Sequence, residues 1–339
     1  MKKKLFVFSN ENIFSQDEKF FCDNIDIKST PEGLNKKFEV HLFGRKSNKK
    51  RAHEIKLKKI KIFSNIFSYL NEVIKSAKIE NTKYLVISIT PYTLLICIFL
   101  KFFGKTPIVY LRSDGYGEYK AIFGTFGKII YHFMFTFTSF ISNFISCRNY
   151  ILRKKKGKVI SPSQLDSVWF RKPKSQEFKR FKLLYVGRIR VEKGIFSLAS
   201  LIKNKRDISL TIVGAEKNTS YKINQSNINI HLTQSNKARL IKYYDDHDIF
   251  ILPSFTEGHP MVLLEALARR RPVIVFSEIE HVVGEKKGIF VAKRNYLNFF
   301  GTLNHIKKNY KKIQKEMMKN KLPTNKEFIE EFVKAIDEY

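Results

Sequence analysis

Glu257 and Glu265 are the two residues whose type and spacing most directly suggest chemistry. They lie in the stretch from Asp248 to Phe276, which opens with the apolar run Ile249–Leu252 and continues through Pro253, Ser254, Glu257, Gly258, His259 and Pro260. The apolar run is long enough for a buried strand and too short for a helix. Met261–Arg269 predicts a helix with Pro260 at its first position, where a missing N–H costs nothing. Pro272 stops it, and Val273–Phe276 returns as a strand. At ~1.5 Å rise per residue, the two carboxylates stand roughly 10 Å apart. Glycosidase acid/base pairs are closer, about 5–9.5 Å, because both work on one bond. The wider spacing suits two ends of an elongated ligand, with the N–H groups of the helix start between them. A polyol at each end and a diphosphate in the middle describes a nucleotide sugar. Strand ends of this kind are where open α/β sheets take their ligands. The plain alternative is an ordinary strand–helix unit with one surface and one helical glutamate.

A second constellation lies in Leu183–Gly194. A strand ends at Gly187, Arg188 follows, and Lys193 with Gly194 opens the next helix. Two fixed cations at a strand's carboxyl end suit a leaving diphosphate, because they neutralise charge as a glycosidic bond breaks. Without such a ligand they would read as a solvated basic face.

The pattern Glu257-Gly-x-Pro…Glu265, with seven residues between the glutamates, resembles the donor-site signature of retaining GT-B glycosyltransferases of family 4. The segment Gly187-Arg188…Glu192-Lys193-Gly194 resembles the phosphate-binding segment of the same family. The resemblance implies two Rossmann-like domains facing a central cleft and transfer of a hexosyl unit with retention. It implies that Glu257 contacts the donor sugar, that Glu265 holds the ribose, and that the N–H groups of Met261 and Val262 face the diphosphate beside Arg188 and Lys193. Ser209–Gly214 also matches the family's strand-to-glycine turn. Three positions depart from the pattern: His259 stands where an aromatic is usual, Thr233 where a glycine often follows a strand, and Arg271 where a small residue precedes Pro272. The donor is expected to be a UDP- or GDP-sugar, and no cofactor or metal is expected, since a diphosphate held by Arg188, Lys193 and helix N–H groups needs none and no His/Cys cluster is present.

On the acceptor side, Tyr110–Tyr119 ends a first-domain strand and carries Arg112, Ser113, Asp114 and Tyr116 where family members commonly have His or His-Asp. Asp114 is the candidate catalytic partner of Glu257. Arg112 and Tyr116 are candidates for the acceptor. The glycine-rich acceptor loop often found after the first strand is replaced by Ser9-Asn-Glu-Asn-Ile-Phe.

The elements that must position these residues alternate. Strands are predicted at Leu5–Phe8, Phe38–Phe43, Leu85–Ile89, Ile108–Leu111, Phe144–Ser146 and Val159–Ile160, with helices at Phe63–Lys78 and Ala121–Phe140 among them. Arg171–Arg180 is polar and contains Pro173, which sets a first domain at 1–172 and a second at 173–326. The second repeats the scheme with strands at Lys182–Val186, Ser209–Val213, Ile228–Leu232, Ile249–Leu252, Val273–Phe276 and Ile289–Val291. A last amphipathic helix, 327–339, is expected to pack back on the first domain. The alternation predicts α/β architecture with parallel sheets.

At 339 residues, two domains are natural. The formal charge of +32 implies attraction to an anion: membrane lipid, nucleic acid or a phosphorylated substrate. A lysine-rich composition alone is the plain alternative. The basic runs Arg45–Lys61 and Arg153–Lys158 predict contact with an anionic membrane, as for a protein acting on a glycan or lipid-linked acceptor in envelope polysaccharide (lipopolysaccharide, O-antigen or capsule) synthesis. Three widely spaced cysteines fit a reducing cytosol, so a cytoplasmic protein, peripheral on the inner face of the plasma membrane, is expected. Leu5–Phe8 is too short for a signal peptide, and Pro91 divides the uncharged stretch Tyr84–Leu100. Ile129–Cys147 is uncharged but rich in Ser, Thr and Asn, and reads as buried structure with a peripheral contact left open. Nucleic acid is not expected as a partner, because the basic residues are dispersed and no RNA-recognition signature is present. A basic nucleic-acid-binding protein, or a non-catalytic nucleotide-sugar-binding relative, is the alternative reading.

Overall fold

The computed structural model describes residues 2–171, 181–216 and 223–339. The chain divides into two compact units, Met1–Pro162 with Asn325–Tyr339, and Ser163–Thr324. The boundary expected at 172–173 lies outside the described residues.

Unit 1 begins with β1 (Lys4–Gln16), β2 (Lys19–Cys22), α1 (Ile25–Leu34), β3 (Glu39–Ser47), β4 (His53–Ile55), β5 (Ile60–Phe63) and α2 (Ile66–Ala77). It continues with β6 (Thr82–Ile87), α3 (Pro91–Phe102), β7 (Ile108–Leu111), α4 (Gly115–Ile141), β8 (Asn143–Ser146) and β9 (Lys158–Val159). Strands β5, β3, β1, β6, β7, β8 and β9 lie side by side and parallel, and β2 with β4 pairs antiparallel onto the far end of β1. The central strands carry apolar runs, Leu5–Phe8 in β1, Tyr84–Ile87 in β6 and Ile108–Leu111 in β7, as strands covered on both faces must. Leu5, Val7 and Phe8 of β1 are fully buried.

β1 runs past the predicted Leu5–Phe8. Its ladder with β3 shifts register between Phe8 and Asn12 and then resumes through Phe14. The segment Ser9–Phe14, which occupies the place of a glycine-rich loop, is therefore strand interrupted by a bulge. Tyr69 on α2 pins the irregularity: its hydroxyl shares its one proton between the carbonyls of Ser9 and Phe43, each at 3.0 Å, and accepts from the Ser9 N–H. α3 starts at Pro91 behind the capping box of Thr90 and Thr93. α4 buries Tyr131, Met134 and Phe135 but leaves its other side open to solvent, so Ile129–Cys147 is only half the buried structure expected of it.

Unit 2 holds β10 (Phe181–Val186), α5 (Ile195–Leu201), β11 (Ile208–Ala215), β12 (Ile228–Leu232), α6 (Lys237–Asp246), β13 (Ile249–Leu252), α7 (Met261–Ala268), β14 (Val273–Phe276), β15 (Ile289–Ala292) and α8 (Tyr296–Met317). Its sheet is wholly parallel, in the order β12-β11-β10-β13-β14-β15. The chain moves outward in one direction from β10 and in the other from β13. The loops after these two neighbouring strands thus part to opposite faces, leaving the crevice where doubly wound sheets bind ligands. α8 was not foreseen, although its buried residues Phe299, Leu303, Ile306, Tyr310, Ile313 and Met317 recur at helical spacing.

The chain ends in α9 (Asn325–Asp337), which belongs to unit 1. Phe328, Phe332 and Ile336 enter the core formed with β1, β3, β6 and β7, and Phe332 packs 4.8 Å from the ring of Tyr110.

Candidate functional site

The loops after β10 and β13 bring two of the predicted donor residues, Lys193 and Glu257, together. Lys193 Nζ lies 2.7 Å from Glu257 Oε1, and Ser254 Oγ donates to the same oxygen at 2.6 Å. The Phe255 N–H donates to the Glu192 carbonyl, so backbone as well as side chains joins the two loops. Gly194 makes the approach possible. Its φ is +66°, and a Cβ there would sit 1.8 Å from the Pro253 carbonyl oxygen. Lys193 falls in a short 3-10 turn, Val191–Lys193, ahead of α5 rather than in its first turn. The end of β10 is equally crowded: a Cβ on Gly214 would lie 2.0 Å from the Gly187 carbonyl oxygen. The buried Tyr185 hydroxyl donates to the Arg188 carbonyl and holds that turn from beneath. The Arg188 side chain is exposed and has no ion-pair partner among the described residues.

Beyond Glu257 come Gly258 and His259, both partly buried, and then Pro260, which is the N-cap of α7 rather than its first residue. Pro260 contributes no side-chain cap, and Met261 and Val262 precede the helix's own hydrogen-bond ladder. Their N–H groups are the donors that a helix start offers to an anion.

Glu265 sits further along α7 and accepts a 2.7 Å hydrogen bond from the Tyr244 hydroxyl. Burial raises its carboxyl from 4.5 to about 7, against the opposing pull of that hydrogen bond and of Lys237. The pH consequence has a definite sign. Between 4.5 and about 7 the folded protein keeps a proton that the unfolded chain has released, so stability from this group falls as pH rises through that window and then levels off. Glu265→Gln should remove this slope. In urea titrations the variant should gain on the wild type by roughly 3 kcal/mol across the window. Stability curves that stay parallel would contradict the assignment.

Several supporting residues escaped the sequence reading. Arg294, just after β15, donates to the Pro253 carbonyl at 2.9 Å and to Glu278 at 2.8 Å, and its guanidinium lies 4.2 Å from the ring centres of both Phe255 and Phe276. His281 Nε2 donates to the Glu257 carbonyl at 2.7 Å. No local motif marks either: Arg294 reaches Pro253 across 41 residues and His281 reaches Glu257 across 24. Arg271, the departure from the small residue usual before Pro272, is almost fully buried. It donates to the Tyr244 carbonyl at 2.8 Å and lies near Asp245 and Tyr310. Arg269 forms a two-pronged pair with the same Asp245 and also donates to the carbonyls of Trp169 and Arg171. These arginines fix the end of α6 and with it Tyr244, the residue that holds Glu265.

The acceptor-side candidates lie in unit 1. Asp114 caps α4 by accepting from the Tyr116 N–H at 3.2 Å, and its other oxygen faces Arg153 at 3.4 Å. The Arg153 guanidinium stacks 5.0 Å above the Tyr116 ring, and the Tyr116 hydroxyl meets His132 Nδ1 at 2.9 Å. Arg112 follows β7, and its Nη1 is buried with no hydrogen-bond partner among the described residues. Among the described residues, no cluster of His, Cys, Asp and Glu could hold a metal ion.

Residues 168–322 match the family model for glycosyl transferases group 1. Two curated relatives align with parts of the chain. One is TuaC of Bacillus subtilis, named for teichuronic acid biosynthesis, at 36% identity over 27% of this chain and 23% of its own. The other is the capsular polysaccharide biosynthesis glycosyltransferase CapM of Staphylococcus aureus, at 31% identity over 34% of each. The chain therefore matches only about a quarter to a third of the length of these relatives. Among solved structures, HepE of Anabaena in complex with UDP superposes with a TM-score of 0.72 at 11% identity, covering 99% of this chain and 100% of that one. Sucrose-phosphate synthase of Thermosynechococcus elongatus gives 0.71 at 15% identity, covering 99% of both. By these matches the chain has the GT-B fold, and its residues 168–322 are similar to glycosyl transferases group 1.

Proposed function

We propose that the protein is a hexosyltransferase that moves a sugar from a nucleotide diphosphate to a glycan or lipid-linked acceptor in envelope polysaccharide synthesis. The observation that carries this reading is the meeting of Glu257, Lys193 and the start of α7 at the crevice between β10 and β13. Glu257 takes hydroxyls of the transferred sugar. Lys193 and Arg188 face the diphosphate, with the N–H groups of Met261 and Val262. Glu265, once ionised, takes the two ribose hydroxyls. A diphosphate gripped by two cations and a helix start can leave without a metal ion. A UDP-sugar is the favoured donor, supported by HepE, which is solved with UDP and with UDP-glucose.

In the transfer, the bond between the anomeric carbon and the diphosphate oxygen breaks while a bond to the acceptor hydroxyl forms. Attack from the face that the diphosphate leaves preserves the anomeric configuration, and the hydroxyl proton passes to the departing phosphate oxygen. Arg112, with its buried unpartnered Nη1, is the unit 1 residue we assign to an anionic acceptor group. Asp114 and Tyr116 orient that loop, Asp114 through its cap and its pair with Arg153. We place the reaction on the cytoplasmic side of the membrane.

Ligand-observed NMR with a panel of UDP- and GDP-sugars tests the donor site. One sugar nucleotide should bind selectively. Glu265→Ala should weaken it by about tenfold or more, the usual cost of leaving ligand hydroxyls without their charged partner. Binding that survives the substitution unchanged would remove Glu265 from the site.

A further inference from the structure

α4 carries a face that the sugar-transfer reading does not use. The helix is broken by Gly124 at φ +65° and ψ −152°, and beyond that break one side is buried against unit 1. The opposite side presents Phe126, Ile129, Phe133, Phe137 and Phe140, all exposed, three of them by more than two thirds. Their spacings of three and four residues align them in a single stripe along the helix. Polar surfaces rarely keep so long an apolar stripe without a partner.

The charge beside the stripe selects the partner. From Tyr119 to Leu165 the chain contains no Asp or Glu, while Lys120, Lys128, Arg148, Lys154, Lys155 and Lys156 fall within it, beside Arg153 and Lys158, which pair with Asp114 and Glu338. Lys155 Nζ lies 5.0 Å over the Phe140 ring, which brings the basic run to the end of the stripe. No helix among the described residues is long and apolar enough to cross a membrane. A helix with an aromatic side and adjoining lysines instead lies flat in the headgroup layer, its rings among the acyl chains and its cations at the lipid phosphates. We propose that the outer face of α4 docks unit 1 on an anionic lipid bilayer. A second copy of the chain is a poorer occupant, since lysines stand at both ends of the stripe (Lys128 toward one, Lys155 at the other) and a two-fold contact would bring like charges together. The proposal is independent of sugar transfer, because it concerns unit 1 alone.

Sedimentation with vesicles tests it, using 30% phosphatidylglycerol in phosphatidylcholine against pure phosphatidylcholine. The wild type should pellet with the anionic vesicles and far less with the neutral ones. The triple variant Phe126→Ser, Phe133→Ser, Phe137→Ser should bind at least ~10-fold more weakly. Phe67→Ser, which removes an exposed aromatic on α2, should bind like the wild type. As a check independent of the triple variant's folding, Phe133→Trp should shift its emission to the blue when anionic vesicles are added. Equal binding by the triple variant and the wild type would overturn the proposal, as would no binding by the wild type. A dimer in sedimentation velocity that the triple variant abolishes, without vesicle binding, would assign the face to a second copy instead.

Discussion

Arg271→Ala should lower the stability of unit 2 by about 3–5 kcal/mol, the usual cost of removing one member of a buried ion-pair network. The side chain is 1% exposed, and its loss takes a guanidinium donor from the Asp245 carbonyl and leaves the Tyr244 carbonyl only the 3.4 Å bond from the His247 N–H. Unit 2 should melt at least ~6 °C lower in scanning calorimetry. Arg271→Met, which keeps the volume and removes the charge, should recover part of the difference. Arg271→Lys should fall between, since an ammonium cannot serve the same carbonyls with a planar fork. Donor affinity should weaken along with stability, because Tyr244 is anchored by the same guanidinium and in turn holds Glu265. A melting temperature within about 2 °C of wild type for the alanine variant would mean that the interior refills this space, contrary to the network described.

The second large effect is catalytic. Glu257→Gln should reduce turnover by about 10²–10³-fold, the range found when a pre-organised polar group is removed from a reacting centre. The donor concentration for half-maximal rate should change little, because Glu265 and the helix start remain. Glutamine keeps the shape and can still accept from Ser254, but it no longer balances the charge of Lys193 at 2.7 Å. Release of nucleoside diphosphate in the presence of acceptor measures the rate, and thermal melting confirms an intact fold. A variant keeping half the wild-type turnover would take Glu257 out of the chemistry.

Much of unit 2 was legible because its signals are local. Ile249–Leu252 is an unbroken apolar run between a charged residue and a proline, and its four side chains are all buried. Pro260 and Pro272 punctuate the helix, and glycines mark the places where backbone meets backbone. The short strands β2, β4 and β5 were illegible for the converse reason: they are three or four residues long and mostly polar or half-exposed. The supporting shell was hidden by distance along the chain. Tyr244 reaches Glu265 over 21 residues, and Arg294 reaches Pro253 over 41. Arg271 was visible only as an anomaly in a pattern, and its meaning came from the carbonyls around it.

The continuation of β1 past Ser9 bears on how this protein's preferences can evolve. From Asn12 to Phe14 the main chain pairs with β3, and from Phe14 to Gln16 with β2. A ligand arriving at this end of the sheet therefore meets a main chain already engaged in ladders from Asn12 to Gln16, and side chains where a glycine-rich loop would offer amides. Recognition by amides tolerates almost any substitution, whereas recognition by side chains is rewritten by each one. Selectivity at this edge is consequently open to drift by single mutations, while the donor loops of unit 2, built on backbone contacts that admit no Cβ, are not.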